Sequence, residues 1–177
     1  MTPATAVRIE ALGTDAYREA IPALGELIVD AVAAGSGVNF LDGVTVDEAA
    51  AWWEARIDQV ESGVITAFVA LDGERIVGST ILIRSVNPNS PHRAEVGKVI
   101  VLRSHRRRGI GAALMEAAES QSRAEGRWLL ILDTVAGSAA DEMYRALGWT
   151  VFGVVPNHAM LPDGTLSDTT YFWKDLR

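Results

Sequence analysis

Apolar residues recur near every third or fourth position from Thr14 to Ala34, at Ala20, Leu24, Leu27, Ile28 and Ala31, and this spacing predicts a first helix. "GSGVNFLDG" breaks the period with three glycines and reads as a loop. Thr45-Val46-Asp47-Glu48 has the form of a capping box and predicts a second helix running through Trp52, Trp53 and Ile57 to Gly63. "VITAFVALDGERIVGSTILIR" then reads as two strands turned at Asp72-Gly73. A further strand is expected from about Arg93 to Leu102. The most regular helical period of the chain follows, from Gly109 to Glu125, with Ile110, Leu114, Ala117 and Ala118 inward and Gly126 as its stop. "WLLILDT" is a continuous apolar run of the kind a buried parallel strand requires. A short helix from Ser138 to Leu147 and two last strands, "WTVFGVV" and "TTYFWKDL", complete the order.

Antiparallel strands followed by strand–helix–strand–helix–strand predict a mixed α/β chain with α+β character. No repeat or linker divides it, so one domain over residues 1–177 is expected, a length that can bury a sizeable core. Hydrophobic residues make up 49% and charged ones 22%, which leaves no segment too polar to fold. The start "MTPATAVRIEALGTDAYREAI" lacks a basic segment followed by an apolar run, so no leader is expected. With no apolar window near membrane-span length, the expectation is a cytoplasmic protein without a membrane partner.

The net charge of −7 disfavours nucleic acid as a partner, because a phosphate backbone needs a spread of cations. Against that balance, "VLRSHRRRGIGAAL" sets four arginines and a histidine within six residues, directly before two glycines and a helix. A strand that runs through a basic, Gly-containing turn into a helix is a phosphate cradle. The first helical N–H groups lack internal partners, and the helix dipole favours an anion there. Gly109 and Gly111 are expected to let a phosphate approach the backbone, while Arg106, Arg107 and Arg108 add forked donors. A Walker A loop would need Gly-Lys-Ser/Thr, and a dinucleotide fold G-x-G-x-x-G; the sequence has neither here.

What stands in the sequence is R-x-x-G-x-G, Arg106 to Gly111, five residues beyond Val101. This resembles the acyl-CoA signature of the GNAT superfamily of N-acetyltransferases, Gln/Arg-x-x-Gly-x-Gly/Ala after a strand. Many members carry Pro two residues after the strand valine, where this chain has Arg103. "AADEMYRALGW" is similar to the superfamily's next block, with Ala140, Met143, Tyr144, Gly148 and Trp149 at matching spacing. Gly137 stands where that block usually has Asn, and Ser138 is a candidate to replace some of its contacts.

The resemblance implies a central, mostly antiparallel sheet with one parallel pair at the acyl-CoA site and about four flanking helices. It also implies acetyl-CoA as cosubstrate, held by Val99, Ile100, Val101, Arg106, Arg107, Arg108, Gly109, Ile110, Gly111, Ala112 and Ser138. Tyr144 matches the tyrosine that protonates the departing thiolate. "HRAEVGKVIVL", "LLILDTVAGSAADEMYRALGW" and "LPDGTLSDTTYFWKDL" extend the likeness to superfamily members that acetylate a β-lactam toxin, which implies Glu95 and Asp133 in catalysis and a link to antibiotic resistance.

The chemistry of acetyl transfer to an amine agrees with these residues. An alkylamine holds its proton with a pKa of about 10, so a nearby carboxylate is needed to take or relay it. Glu95 lies six residues before Val101, and alternation would put Glu95, Gly97, Val99 and Val101 on one face of the strand. Asp133 ends "LLILD" at the carboxyl edge of a buried strand, where ligands bind in open α/β sheets. Which of the two acts as base stays open. Each also has a structural reading, Glu95 as a partner of Arg93 or Lys98 and Asp133 as a turn cap.

Cysteine is absent, which closes any acyl-Cys route and points to direct attack in a ternary complex. His92, His105 and His158 show no ligand spacing, so no metal is expected. Asn39 and Phe40 in the first loop, one of the adjacent tryptophans (assigned as Trp53) and Asn157 in a loop before the last strand are the candidates to wall an acceptor pocket. The leading expectation is an acetyl-CoA-dependent acetyltransferase of a small-molecule amine. Acetylation of a protein amine, and an acyl-CoA-binding sensor without turnover, are the alternatives. A homodimer is compatible with all three.

Overall fold

The first strand of the protein carries no strong pattern. In the computed structural model, which describes residues 7–177, β1 (Arg8–Ala11) is mostly exposed and pairs antiparallel with β2 (Ile65–Asp72). The stretch read as leader-free begins on residues 1–6, which lie outside the described residues. Sequence periodicity did not reveal β1, because four residues with one half-buried side chain carry no alternation to detect.

Between them lie α1 (Thr14–Ala33), α2 (Val46–Glu54) and α3 (Ile57–Glu61). The predicted second helix is therefore broken after Glu54. The capping box is formed: Glu48 N–H donates to Thr45 Oγ1 at 3.2 Å and Thr45 N–H to the Glu48 carboxylate at 2.9 Å. α2 crosses α1 closely at Gly25, where a Cβ would stand 3.0 Å from the Val46 carbonyl oxygen. The Tyr17 hydroxyl donates to the Trp53 carbonyl at 2.9 Å and ties the same two helices.

The chain continues through β3 (Arg75–Arg84), β4 (Arg93–Val101), α4 (Ile110–Ala124), β5 (Leu129–Val135), α5 (Ala139–Ala146), β6 (Thr150–Met160) and β7 (Leu166–Asp175). The strands form one sheet in the order β1-β2-β3-β4-β5-β7-β6. Every neighbouring pair is antiparallel except β4 and β5. This is the mixed α/β sheet with one parallel pair that the resemblance implied, with five helices among the described residues where about four were expected. α1 and α4 both pack on β3 and β4, and the core runs through Leu24, Leu27, Ile28, Leu82, Leu114, Met115, Leu130 and Phe172. No helix among the described residues is long and apolar enough to cross a membrane.

One irregularity shapes the centre of the sheet. Ile81 pairs with Gly97 but Ser79 pairs with Ile100, so Thr80 of β3 faces both Lys98 and Val99 of β4 and a bulge forms. Lys98 sits in it with φ of 51°. Partners across a ladder share a face, so Glu95 and Gly97 continue to Ile100, and Val99 and Val101 pass to the other face. The simple alternation expected for Glu95, Gly97, Val99 and Val101 is corrected accordingly.

Candidate active site

The parallel ladder of β4 and β5 is short: Arg93 pairs with Leu129, Ala94 with Leu130 and Glu95 with Ile131, and then the strands part. Beyond that point, among the described residues, β4 has no strand on its β5 side, so its backbone polar groups face a gap and are open to an extended ligand. The gap widens into a cleft of about 710 Å³ lined by Gly97, Lys98, Val99, Ile100 and Val101 of β4 and by Asp133 and Val135 of β5.

At one end of the cleft lie His105, Arg106 and Arg107 and the start of α4. Gly109 precedes α4 with φ of 78°, a conformation that favours glycine, and no side chain caps the helix. The first α-helical hydrogen bond at this end runs from Ala113 N–H to the Gly109 carbonyl, so the N–H groups of Gly111 and Ala112 have no partner within the helix. Gly111 serves close packing instead, because a Cβ there would stand 3.0 Å from Met143 Sδ. The arginines divide their work. Arg106 faces the cleft and its Nε donates to the Val101 carbonyl at 3.1 Å, which fixes the turn. Arg108 does not line the cleft; it points to Asp72 of the β2–β3 hairpin, 3.7 Å away. Arg103 is held by Asp30 at 2.8 Å.

α5 brings Ser138 and Tyr144 to the same cleft. Ser138 caps α5 by accepting from Asp141 N–H at 3.2 Å. Asp141, which the sequence reading did not single out, is buried and holds this corner: it accepts from Gly137 N–H at 3.0 Å and from the Thr170 hydroxyl at 2.8 Å, and pairs with Arg145. Burial pushes its carboxyl up, but these donors and the Arg145 charge outweigh that and leave it below the usual range. Tyr144 packs between Trp149 and Phe172, with ring centroids 6.2 and 5.8 Å away. Burial, and next the charge of Asp133, push its phenol well above the ordinary value. It keeps its proton at neutral pH.

Across the cleft, Asp133 lies two residues beyond Ile131, the register partner of Glu95, so both carboxylates share a face of the sheet. Glu95 is exposed as a whole residue and is not part of the cleft lining. Partial desolvation and the Asp133 charge nevertheless raise its carboxyl, with Arg93 opposing. Lys98, which the sequence offered only as an ion-pair partner for Glu95, is bonded elsewhere. Its Nζ donates to the Val38 carbonyl and to Asn39 Oδ1, both at 3.0 Å, and lies 4.4 Å from the Trp52 ring. Desolvation, and next the Arg56 charge, hold it down to about 8 against the pull of Asp133. Its signal was hidden because a bulge cannot be read from a strand of alternating residues.

The acceptor-side expectations divide. Asn39 lines the cleft and Phe40 does not. Trp53 is fully buried in the core, under Tyr17, so the assignment to the pocket wall is corrected; Trp52 is the tryptophan that reaches toward Lys98. Asn157 lies within β6, not in a loop. Its N–H donates to the Asp168 carboxylate at 2.9 Å, and it stays off the cleft while His158, Ala159 and Met160 line it. The α1–α2 loop and the β6–β7 turn also meet: Asp42 N–H donates to the Pro162 carbonyl at 2.9 Å. Among the described residues no cluster of His, Asp or Glu has the arrangement to hold a metal ion.

Comparison with known proteins agrees with this geometry. N-alpha-acetyltransferase 30 of Schizosaccharomyces pombe is 29% identical over 84 residues, which cover 47% of this chain and 56% of that protein, so the match spans little more than half of the relative's length. An N-acetyltransferase from Staphylococcus aureus Mu50 superposes with a TM-score of 0.79 at 19% identity, over 97% of this chain and 99% of the other. The Salmonella typhimurium protein yncA, solved with its cofactor acetyl-CoA, superposes with a TM-score of 0.75 at 20% identity, over 97% and 95% of the two chains. At these identities the superpositions speak for the fold. The sequence model of the acetyltransferase (GNAT) family matches residues 38–149, more than half of the chain, a span that includes much of the cleft lining. The chain therefore belongs to the GNAT family of acetyltransferases.

Proposed function

We propose that the protein transfers the acetyl group of acetyl-CoA to the amine of a small molecule, within a ternary complex. The observation that carries this reading is the gap between β4 and β5, with an uncapped helix start and two arginines at one end and a buried, protonated phenol beside it. The residues present fit such a cosubstrate. N–H groups of Gly111 and Ala112, with Arg106 and Arg107, suit a diphosphate, and the free edge of β4 suits an amide-bearing arm. The thioester supplies an acetyl carbonyl open to attack and a thiol that can leave.

Glu95 takes the proton that the acceptor ammonium must lose, directly or through water, and the Asp133 charge holds the ammonium before that step. The freed amine forms the new C–N bond as the C–S bond breaks. Tyr144 gives its proton to the sulfur that departs. A backbone N–H at the free edge of β4, near Val101, supports the oxygen charge that develops, a contact worth about 3 kcal/mol in comparable sites. The absence of cysteine fits direct attack without an acyl-enzyme.

The bond between Asp42 and Pro162, and the approach of Gly37 to Met160, narrow the acceptor side and favour a small acceptor over a polypeptide. Similarity of motifs to the tabtoxin resistance protein, which acetylates a β-lactam toxin, makes toxin-like amines the first to try. The second reading, acetylation of a peptide amine, is favoured by the relative named N-alpha-acetyltransferase 30. Thiol release from acetyl-CoA over a panel of small amines, β-lactam toxins and short peptides decides between them: turnover with peptides alone overturns the small-molecule reading. No turnover, with tight coenzyme A binding, leaves a sensor. We also propose a homodimer through the sheet edge at β6, supported by the exposure of Phe152, Val154 and Val155 there.

A further inference from the structure

A cation at the acceptor side of the cleft has no role in the chemistry above. Lys98 projects from the bulge of β4 and lines the cleft together with Asp133, Asn39 and His158. Among the described residues its hydrogen bonds go to neutral oxygens, the Val38 carbonyl and Asn39 Oδ1, and not to a carboxylate. An ammonium has three N–H donors, so one remains for a ligand. Arg56, whose guanidinium carbon stands 3.2 Å from the centre of the Trp52 ring, adds a second positive charge nearby. A partly desolvated cation beside another cation, with the pull of Asp133 but no directly bonded carboxylate, is a costly arrangement that an anion would relieve.

Glu95 and Asp133 supply the opposite charge on the same face of the sheet. The site is therefore bipolar: Asp133 in the lining, with Glu95 beside it outside the lining, suits an ammonium, and one lysine suits an anion. We propose that the acceptor carries a carboxylate as well as its amine, and that Lys98 receives this carboxylate and so determines acceptor specificity. The inference rests on the acetyltransferase reading of the cleft and narrows the substrate class to amino-acid-like zwitterions. The depressed proton affinity of Lys98 accords with this, since an anion seated beside it would restore the charged form.

The test uses matched probes: small amino acids of differing side-chain length and their carboxamides, which keep the amine and remove the anion. Binding of each to the coenzyme A-loaded protein is measured by calorimetry, and thiol release from acetyl-CoA is measured in parallel. Wild type is expected to favour acid over amide by about tenfold or more in its best pair, as a charge-assisted hydrogen bond implies. Lys98→Met, close in volume and apolar, is expected to abolish that preference with the acetyl-CoA KM unchanged. Lys98→Arg, which keeps the charge, is expected to retain part of it. Comparing ratios cancels the different basicity of the two amines.

An acid-to-amide ratio that Lys98→Met leaves unchanged overturns the inference and makes Lys98 a tether for residues 38 and 39. So does a panel in which no acid is favoured. Preference for acids in binding, lost in Lys98→Met, without thiol release from any probe, supports the inference and overturns the enzymatic reading alone.

Discussion

Tyr144 tests the chemistry most directly. Its hydroxyl makes no hydrogen bond among the described residues, while its ring packs on Trp149 and Phe172, so Tyr144→Phe removes a proton donor and little packing. We expect kcat to fall by about 100-fold, the lower range for a general acid, with coenzyme A affinity and thermal midpoint retained; steady-state thiol release with a binding isotherm checks this. On the proposed mechanism Glu95 is expected to set the acid limb. Its carboxyl is raised, so the protonated, inactive form persists above the ordinary carboxylate range, and kcat/KM should fall on acidification at a pH higher than about 4.3. A pH profile should show that limb, and Glu95→Gln should lower the plateau and remove it. The arginines should separate. Arg106→Ala should raise the acetyl-CoA KM by roughly tenfold, whereas Arg108→Ala, whose side chain points to Asp72, should leave it nearly unchanged. The sequence shows Arg106, Arg107 and Arg108 as equals; only the direction of each side chain ranks them.

At the scale of elements, the helices were legible where period and caps agreed. α4 and α5 run within a residue or two of their expected limits, and the Thr45–Glu48 box opens α2 as read. The errors fall where tertiary contact overrides period. β6 continues through Asn157 to Met160 because it is paired against β7, although three residues bulge between Val155 and Ala159. Trp53 turns into the core because α2 crosses α1 at Gly25, and adjacent helical residues cannot both face the cleft. That crossing has a measurable consequence. A Cβ at Gly25 would press on the Val46 carbonyl and on Ala50 N at 3.2 Å, both backbone atoms with little freedom. Gly25→Val should therefore destabilise by about 1–3 kcal/mol despite relieving glycine's entropy, read as a lower denaturant midpoint at unchanged slope. Its acceptor KM should rise too, since α2 positions Trp52 beside Lys98.

For the whole molecule, the sheet has two edge strands among the described residues, the charged β1 and the apolar β6, the latter with Phe152 59% and Val154 50% exposed, and Trp173 of β7 is also exposed. An apolar edge of this kind invites a second copy. Sedimentation should show a dimer at micromolar concentration, and Val154→Lys should shift it to monomer without loss of fold by circular dichroism. Local pattern was enough to read the family fold, the basic turn and the places of Gly109 and Tyr144 at a helix start and on a helix, because each rests on a period, a cap, or residues within one turn of a helix. Tertiary structure alone decided the rest. The parting of β4 from β5, the bulge that turns Lys98 into the cleft, and the pairing of Arg108 with Asp72 all join residues distant in the chain. Such contacts arise from register and crossing between elements, and no spacing along a single element encodes them.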